Sequence, residues 1–301
     1  MQGRAKLFCS SEKLYIFIRE YLYAEVRSMY KTSQDIQNRL HEHALYAIDT
    51  YNKDWFVICL QGSQNYGIVD EESDVDSKML LIPSLEDLVL NKAAISHTLE
   101  MPDNKEHVDC KDTRDYFKIF RKSNINFVEI LFTDYWIVNN KYYDLWAELR
   151  YKAEDLARIN PYAAVSCMKG MAAEKRHALC HEYPSRMSII EKFGYDPKQL
   201  SHLARINYFI KYYVEGKPYK DCIYIPNRFI RETLLDCKRD GWGLTKEQAE
   251  IQADEYLNNI IKIADNFRKN HENKNDPELD EFLNNILYKL ISRSLKEQLN
   301  G

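Results

Sequence analysis

Residues 60–82, LQGSQNYGIVDEESDVDSKMLLI, contain the pattern that decides the fold and the chemistry. The pair Gly62 and Ser63 follows the apolar run WFVICL at residues 55–60, which is typical of a buried strand. A strand that ends in Gly-Ser and turns into a short helix leaves backbone N–H groups and a hydroxyl available to bind phosphate. Taken alone, a Gly-Ser pair more often marks an ordinary turn.

Glycine is scarce in this chain, with nine among 301 residues, yet Gly62 and Gly67 lie close together. Where glycine is rare, a local pair indicates special backbone conformations. We expect Gly62 to let a phosphate approach the backbone and Gly67 to end the short helix that follows the turn.

Two carboxylates follow the turn as Asp74 and Asp76, around the start of a second predicted strand over residues 75–82. Positions i and i+2 of a strand point to the same face, so both carboxylates project together. A divalent cation relieves their repulsion, and Mg²⁺ is commonly held by one or two carboxylates plus substrate phosphates. The alternative is a solvated acidic turn that continues residues 70–72.

A third carboxylate, Asp109, lies in HVDC at residues 107–110, which we predict to be a strand beside that of Asp76. A carboxylate on a neighbouring strand would share metal ions with Asp74 and Asp76, or accept a proton from an attacking hydroxyl, as in two-metal phosphoryl transfer. Glu106, three residues earlier, falls on the opposite face of the strand. Asp109 is therefore the better candidate.

A second set of candidate ligand contacts lies on a helix that we predict to begin at Pro197. Lys198, His202 and Arg205 fall at i, i+4 and i+7 and form one stripe. A row of three donors facing a cleft would suit a triphosphate, because a guanidinium can bind phosphate with two hydrogen bonds. The alternative is an ion pair between Arg205 and a carboxylate such as Glu129.

Other basic and metal-ligand residues in the helical half carry less specific signals. Lys169, Lys175 and Arg176 would suit a nucleic-acid backbone, but a solvated helix face is the more usual role of such charges. His177 and His181 stand at i, i+4, the spacing of two zinc ligands, yet no further ligand has convincing spacing.

Composition excludes several classes of protein. The net charge of −4 excludes a wholesale polyelectrolyte binder, and 29% charged residues with no long apolar run exclude a membrane-spanning chain. Seven cysteines without a CxxC motif indicate reduced thiols and a cytoplasmic location. No feature indicates an oligomeric state.

The chain divides into three predicted parts. Residues 1–30 form a helical N-terminal extension, residues 31–140 a mixed α/β core, and residues 141–301 a helical domain. Met29 offers a second candidate start of translation, which leaves open whether residues 1–28 belong to the native protein.

The spacing from Gly62 and Ser63 to Asp74 and Asp76 resembles the DNA polymerase beta nucleotidyltransferase superfamily. Within it, the chain is most similar to a group of predicted nucleotidyltransferases that includes RNA-repair-associated members. Three later segments are similar to that group: VDCKDTRDYFKIF around Asp109, NFVEILF with Asn126 and Glu129, and GYDPKQLSHLARI at residues 194–206. The resemblance covers roughly residues 49–266.

This resemblance implies an α+β fold, with a nucleotidyltransferase-type mixed β-sheet core and flanking helices, followed by an all-helical domain. It implies that Asp74, Asp76 and Asp109 are catalytic and bind metal, two Mg²⁺ ions with Mn²⁺ as an alternative. Ser63, beside Gly62, would contact nucleotide phosphate.

Together these features predict a metal-dependent nucleotidyltransferase that transfers an NMP from an NTP, such as ATP, to a hydroxyl acceptor and releases pyrophosphate. An RNA end is favoured as acceptor over a protein or a small molecule. Asp109 would orient or deprotonate the hydroxyl, while Lys198, His202 and Arg205 would contact the nucleotide.

Two other functions compete with this one. A non-catalytic nucleotide or RNA sensor on the same fold is disfavoured because all three carboxylates are present. A sugar-nucleotide glycosyltransferase would use the DVD motif, but it needs a nucleotide-binding α/β unit upstream, and the mostly helical stretch before Trp55 does not supply one.

Overall fold

The computed structural model describes residues 33–70, 73–102 and 106–300. The predicted extension at residues 1–30 lies outside them. In the described part, a five-stranded mixed sheet is flanked by helices, and the chain after the sheet is helical. The predicted α+β class, with a mixed sheet followed by helices, is therefore confirmed.

The sheet is built mainly from antiparallel neighbours. The strands are β1 (Trp55–Gln61), β2 (Asp76–Leu81), β3 (Ser96–Glu100), β4 (His107–Asp112) and β5 (Trp136–Val138). Their order across the sheet is β3-β4-β2-β1-β5. β2 and β4 run parallel, whereas the pairs β1–β2, β1–β5 and β3–β4 are antiparallel.

Fourteen α-helices lie within the described residues. They are α1 (Ser33–Tyr51), α2 (Ser63–Tyr66), α3 (Leu85–Val89), α4 (Thr113–Phe120), α5 (Ile125–Val128), α6 (Tyr143–Tyr151), α7 (Ala153–Leu156), α8 (Pro161–Ala178), α9 (Met187–Phe193), α10 (Pro197–Val214), α11 (Tyr219–Ile223), α12 (Arg228–Asp240), α13 (Lys246–Lys269) and α14 (Pro277–Asn300). Short 3₁₀ segments occur at Glu129–Leu131, Asn140–Tyr142, Pro184–Arg186 and Gly241–Gly243.

Helix starts follow the N-cap signals in the sequence. The Asp196 side chain accepts a hydrogen bond from the backbone N–H of Lys198, as expected for an N-cap followed by proline. Thr245 and Gln248 form a reciprocal capping box at the start of α13. The predicted helix start at Pro197 is confirmed.

The strands differ from their predicted bounds in two respects. β2 spans Asp76–Leu81, one residue shorter at each end than the predicted strand over residues 75–82, so Asp74 lies two residues before it. β3 and β5 were not predicted. β3 is a polar edge strand in which only Leu99 is buried, and β5 has three residues, so neither carries a clear hydrophobic period.

Each face of the sheet has its own hydrophobic core. Ile58, Met79 and Val108 face α1 and pack against its apolar stripe, including Leu40. The opposite face packs into a larger cluster that continues without interruption through the helices to α14. The predicted domain boundary near residue 140 stays a prediction. No helix in the described part of the chain carries an apolar stretch long enough to cross a bilayer.

A buried polar network connects α1 to the residues that precede β2. The Glu106 carboxylate is 3% exposed and accepts hydrogen bonds from the Arg39 guanidinium at 2.7 Å and from the backbone N–H of Val75 at 3.1 Å. The His43 ring lies 3.2 Å from Glu106 and 2.9 Å from the Ser77 hydroxyl. Glu106 therefore fixes the backbone between the two aspartates.

We predict that Glu106→Ala lowers the free energy of unfolding by about 3–5 kcal/mol, because it leaves buried donors without their acceptor. Urea denaturation would measure the loss. Glu42→Ala is the matched control, since Glu42 pairs with the same Arg39 on the exposed side of α1 and should cost less than about 1 kcal/mol. Equal losses for the two variants would contradict this account.

A candidate nucleotide-binding cleft

The turn after β1 has a backbone conformation that requires glycine. Gly62 adopts φ +85° and ψ −148°, a region open essentially to glycine alone, and a Cβ there would meet no atom within 4 Å. The conformation of Gly62, and not crowding, therefore demands this residue. Gly67 ends α2 in the left-handed conformation, as predicted, and a Cβ there would clash with the Tyr224 ring.

This turn borders a cleft of about 260 Å³ between the sheet and the helical half. Gly62, Ser63 and Tyr66 line it on one side, with residues of α8, α10 and α12 opposite. Five cationic side chains line the cleft: Lys78, Lys175, Lys198, Arg205 and Lys238. Two carboxylates, Asp76 and Glu129, also line it. With all of them ionised, the lining carries three net positive charges, and Lys78 and Lys238 also pair with Asp109 and Asp70 outside it. The remaining excess of cations suits a polyanion.

The three predicted carboxylates occupy different surroundings. Asp76 lines the cleft, and its Oδ1 accepts the backbone N–H of His107 at 3.1 Å. Asp74 is exposed just before β2. Asp109 lies outside the cleft lining, where its carboxylate pairs with the ammonium groups of Lys78 at 3.1 Å and Lys111 at 3.6 Å. The structure brings Asp76 to the cleft and places Asp109 between two lysines.

The arrangement of these side chains fits a metal ion at Asp76 better than at Asp109. Among the described residues, no group of three or more His, Cys, Asp or Glu side chains is close enough to hold a metal ion by itself. Asp76 Oδ2 has no hydrogen-bond partner in the described part of the chain. Because Mg²⁺ at nucleotide sites takes phosphate oxygens and water as its other ligands, one or two carboxylates suffice.

The predicted stripe on α10 does face the cleft, since Lys198, His202 and Arg205 all line it. Arg205 is 4% exposed, and its Nε has no hydrogen-bond partner in the described residues. Its guanidinium stacks 3.7 Å from the centroid of the Tyr66 ring. A buried guanidinium with an unused donor is unusual unless a ligand accepts from it.

Glu129 organises the inner end of the cleft. Its carboxylate accepts hydrogen bonds from the Tyr66 hydroxyl at 2.6 Å and from the backbone N–H of Gly62 at 3.3 Å. Burial raises the pKa of Glu129, while the charge of Lys78 and the Tyr66 hydrogen bond oppose the shift. The alternative ion pair between Arg205 and Glu129 does not form: the charged atoms of these two described side chains are not within 4 Å of each other. Tyr66 lies between them instead, with its ring against Arg205 and its hydroxyl on Glu129.

His202 is neutral at pH 7. Burial lowers its pKa well below the usual value of 6.5, and the positive charges of Arg205 and Lys198 lower it further. Its imidazole, which lines the cleft, therefore carries one donor and one acceptor nitrogen.

Two cations of the cleft were not assigned a role from the sequence. Lys78 follows Asp76 by two positions, so the strand period alone would have placed it on the same face. Lys238 comes from α12, where it binds Asp70 at 2.8 Å and the Ser73 hydroxyl at 2.8 Å. No local pattern relates residues so far apart in the sequence.

The basic residues Lys169 and Arg176, considered above as nucleic-acid contacts, do not form a second site. Lys169 pairs with Asp265, and Arg176 pairs with Asp254. Both pairs fit the solvated helix face that was the more usual alternative, and only Lys175 of that group lines the cleft.

Comparisons with known proteins give distant likenesses. No protein-family model matches the chain, and no curated protein matches it in sequence. A nucleotidyltransferase-like protein from Exiguobacterium sibiricum 255-15 is 11% identical over 76% of this chain and 74% of that one, with a TM-score of 0.29. A cytoplasmic RNA terminal U-transferase is 8% identical over 64% of this chain and 54% of that one, with a TM-score of 0.22.

We predict that Gly62→Ala lowers the free energy of unfolding by about 1–3 kcal/mol, because alanine is strained at the φ and ψ of this position. Gly170→Ala is the matched control. Gly170 lies inside α8 with open space around it, so alanine there should stabilise by about 0.5–1 kcal/mol. Denaturant unfolding of both variants measures the difference, and a loss no larger at Gly62 than at Gly170 would refute the argument.

We also predict a pH dependence that originates at His202. Because its pKa is depressed in the folded protein, the unfolded chain takes up the proton first, and stability falls as pH drops below about 6.5. Between pH 7 and pH 5.5 the wild type should lose up to about 1.4 kcal/mol per pH unit more than His202→Gln. Urea unfolding of both proteins at both pH values tests this. An equal change in the free energy of unfolding with pH in wild type and His202→Gln would rule it out.

Proposed function

We propose that this chain is a nucleotidyltransferase that binds an NTP in the cleft and transfers its nucleotidyl group to a hydroxyl acceptor, releasing pyrophosphate. The observation that carries the proposal is the convergence, in one cleft, of the Gly62–Ser63 turn, the Asp76 carboxylate and five cationic side chains. A triphosphate needs neutralising charge along its length, and an acidic residue beside that charge is what a phosphate-bound metal requires.

Arg205 is the residue best prepared for a phosphate. Its guanidinium is buried, lies over the Tyr66 ring, and keeps Nε without an acceptor among the described residues. A planar guanidinium fixed in this way can donate two parallel hydrogen bonds to one phosphate group without further loss of side-chain freedom. Lys198, on the same helix and exposed at the cleft, would neutralise the departing pyrophosphate.

The Gly62–Ser63 turn would hold another part of the triphosphate. Open space at Gly62 lets a ligand approach the backbone, and Ser63 lines the cleft beside it. Glu129 holds the turn in place through the backbone N–H of Gly62. The neutral ring of His202 would donate a hydrogen bond without adding charge.

A divalent ion would be held by Asp76, with Asp74 two residues earlier and phosphate oxygens as further ligands. When bound, Mg²⁺ or Mn²⁺ would withdraw charge from the phosphate that is attacked. An RNA end is the acceptor that the sequence resemblance favours, and protein and small-molecule hydroxyls are the alternatives.

Removing the Arg205 guanidinium should weaken nucleotide binding. For Arg205→Ala we expect about tenfold to hundredfold lower affinity for a non-hydrolysable ATP analogue, the loss of one charge-assisted contact. Isothermal titration calorimetry would measure it. Arg176→Ala is the control, because Arg176 is a cation of neighbouring α8 that already pairs with Asp254. If Arg205→Ala bound the analogue as tightly as the wild type, Arg205 would not be a nucleotide contact.

The activity itself is tested by incubating the chain with each α-labelled NTP, Mg²⁺ and pools of total RNA and protein, resolved by size. We expect labelled product and pyrophosphate in the wild type, and at least a hundredfold lower rate in Asp76→Asn. Asp49→Asn, an exposed change on α1, should keep the wild-type rate. Nucleotide binding without turnover on any acceptor would favour the sensor function, and an Asp76→Asn variant with full activity would exclude the proposed site.

A further inference from the structure

Asp109 is held between two ammonium groups by the register of the sheet. Lys78 and Asp109 are direct partners across the parallel β2–β4 pair, and Lys111 follows Asp109 by two positions on the same face. Lys78 Nζ lies 3.1 Å from Asp109 Oδ2, and Lys111 Nζ lies 3.6 Å from Oδ1. Each oxygen of the carboxylate therefore already faces a cation.

Burial and two neighbouring side chains hold the Lys78 ammonium in one position. Its side chain is 7% exposed, and Nζ lies 4.4 Å from the centroid of the Phe127 ring. A buried ammonium needs a partner of opposite charge, and Asp109 supplies one. Lys78 lines the cleft, whereas Asp109 and Lys111 do not.

A second divalent ion at Asp109 would meet strong repulsion. It would place two positive charges beside both Lys78 and Lys111, in surroundings where their interaction with water is reduced. A single ion at Asp76 avoids this conflict, because within the described residues no lysine or arginine pairs with Asp76, its Oδ1 faces only His107, and its Oδ2 has no hydrogen-bond partner.

We propose that the Lys78 ammonium takes the place of a second divalent ion in this cleft, and that Asp109 is a positioning residue that holds this ammonium toward the nucleotide phosphates. The site then combines one divalent ion at Asp76 with one fixed ammonium, in place of two metal ions. This inference rests on the proposed function, since it assumes that an NTP occupies the cleft.

The location of the metal tests the inference directly. Crystals of the full chain grown with a non-hydrolysable ATP analogue and Mn²⁺ would show the ion by its anomalous scattering. We expect a peak at Asp76 and none within coordinating distance of Asp109. A Mn²⁺ ion ligated by Asp109 would overturn the role of Lys78. Analogue bound outside the cleft, or no binding, would instead overturn the proposed function on which the inference rests.

A double-mutant cycle tests whether Asp109 acts through Lys78. Affinity for the analogue would be measured by calorimetry in EDTA and again with Mn²⁺. We expect Lys78→Met to weaken binding by about tenfold in both conditions, and the combination with Asp109→Asn to be no weaker than Lys78→Met alone. Additive losses would show that Asp109 acts independently of Lys78, and a loss from Asp109→Asn seen only with Mn²⁺ would show that Asp109 binds metal; either result would overturn the inference.

Lys111→Met is the matched control for that cycle. It removes a positive charge from the same carboxylate, but from a side chain that does not line the cleft. We expect less than about a twofold change in affinity for the analogue. An effect as large as that of Lys78→Met would show that general charge, and not the position of Lys78, governs binding.

Discussion

The cleft depends on one buried carboxylate, Glu129, and on the tyrosine that binds it. Glu129 accepts from the backbone N–H of Gly62 and from the hydroxyl of Tyr66, and the face of the Tyr66 ring supports the Arg205 guanidinium. A loop from the sheet and a helix from the second half of the chain are thereby fixed relative to each other. Because Tyr66 connects Glu129 to Arg205, the guanidinium keeps a donor for a ligand instead of closing an ion pair.

A second buried carboxylate, Glu106, fixes the backbone on the opposite face of the sheet. Glu106 binds Arg39 of α1 and the backbone N–H of Val75, so it holds the residues around Asp76 in position from the α1 side of the sheet. The two carboxylates hold different parts of the same cleft: Glu129 holds the Gly62–Ser63 turn, and Glu106 holds the start of β2. Fixing both in advance would reduce the rearrangement needed to bind the proposed NTP.

Much of the fold and part of the candidate site could be predicted from the sequence, because these features depend on residues that are close together along the chain. The Gly62 and Gly67 conformations and the stripe through Arg205 depend on neighbouring residues, so short patterns reveal them. The partners of Lys78 and Asp109 depend on how β2 and β4 align, which no short pattern encodes. The polar edge strand β3 was missed for a related reason, since its pairing with β4 and not its hydrophobicity defines it.

The central claim is that this cleft is a polyphosphate site, and competition binding tests it most directly. Each of the four NTPs would be titrated into the full chain, with and without inorganic tripolyphosphate. If the lysines and Arg205 of the cleft supply most of the affinity, tripolyphosphate should displace every NTP, and added salt should weaken all of them together. NTP binding that tripolyphosphate does not displace, or no NTP binding at all, would contradict the account.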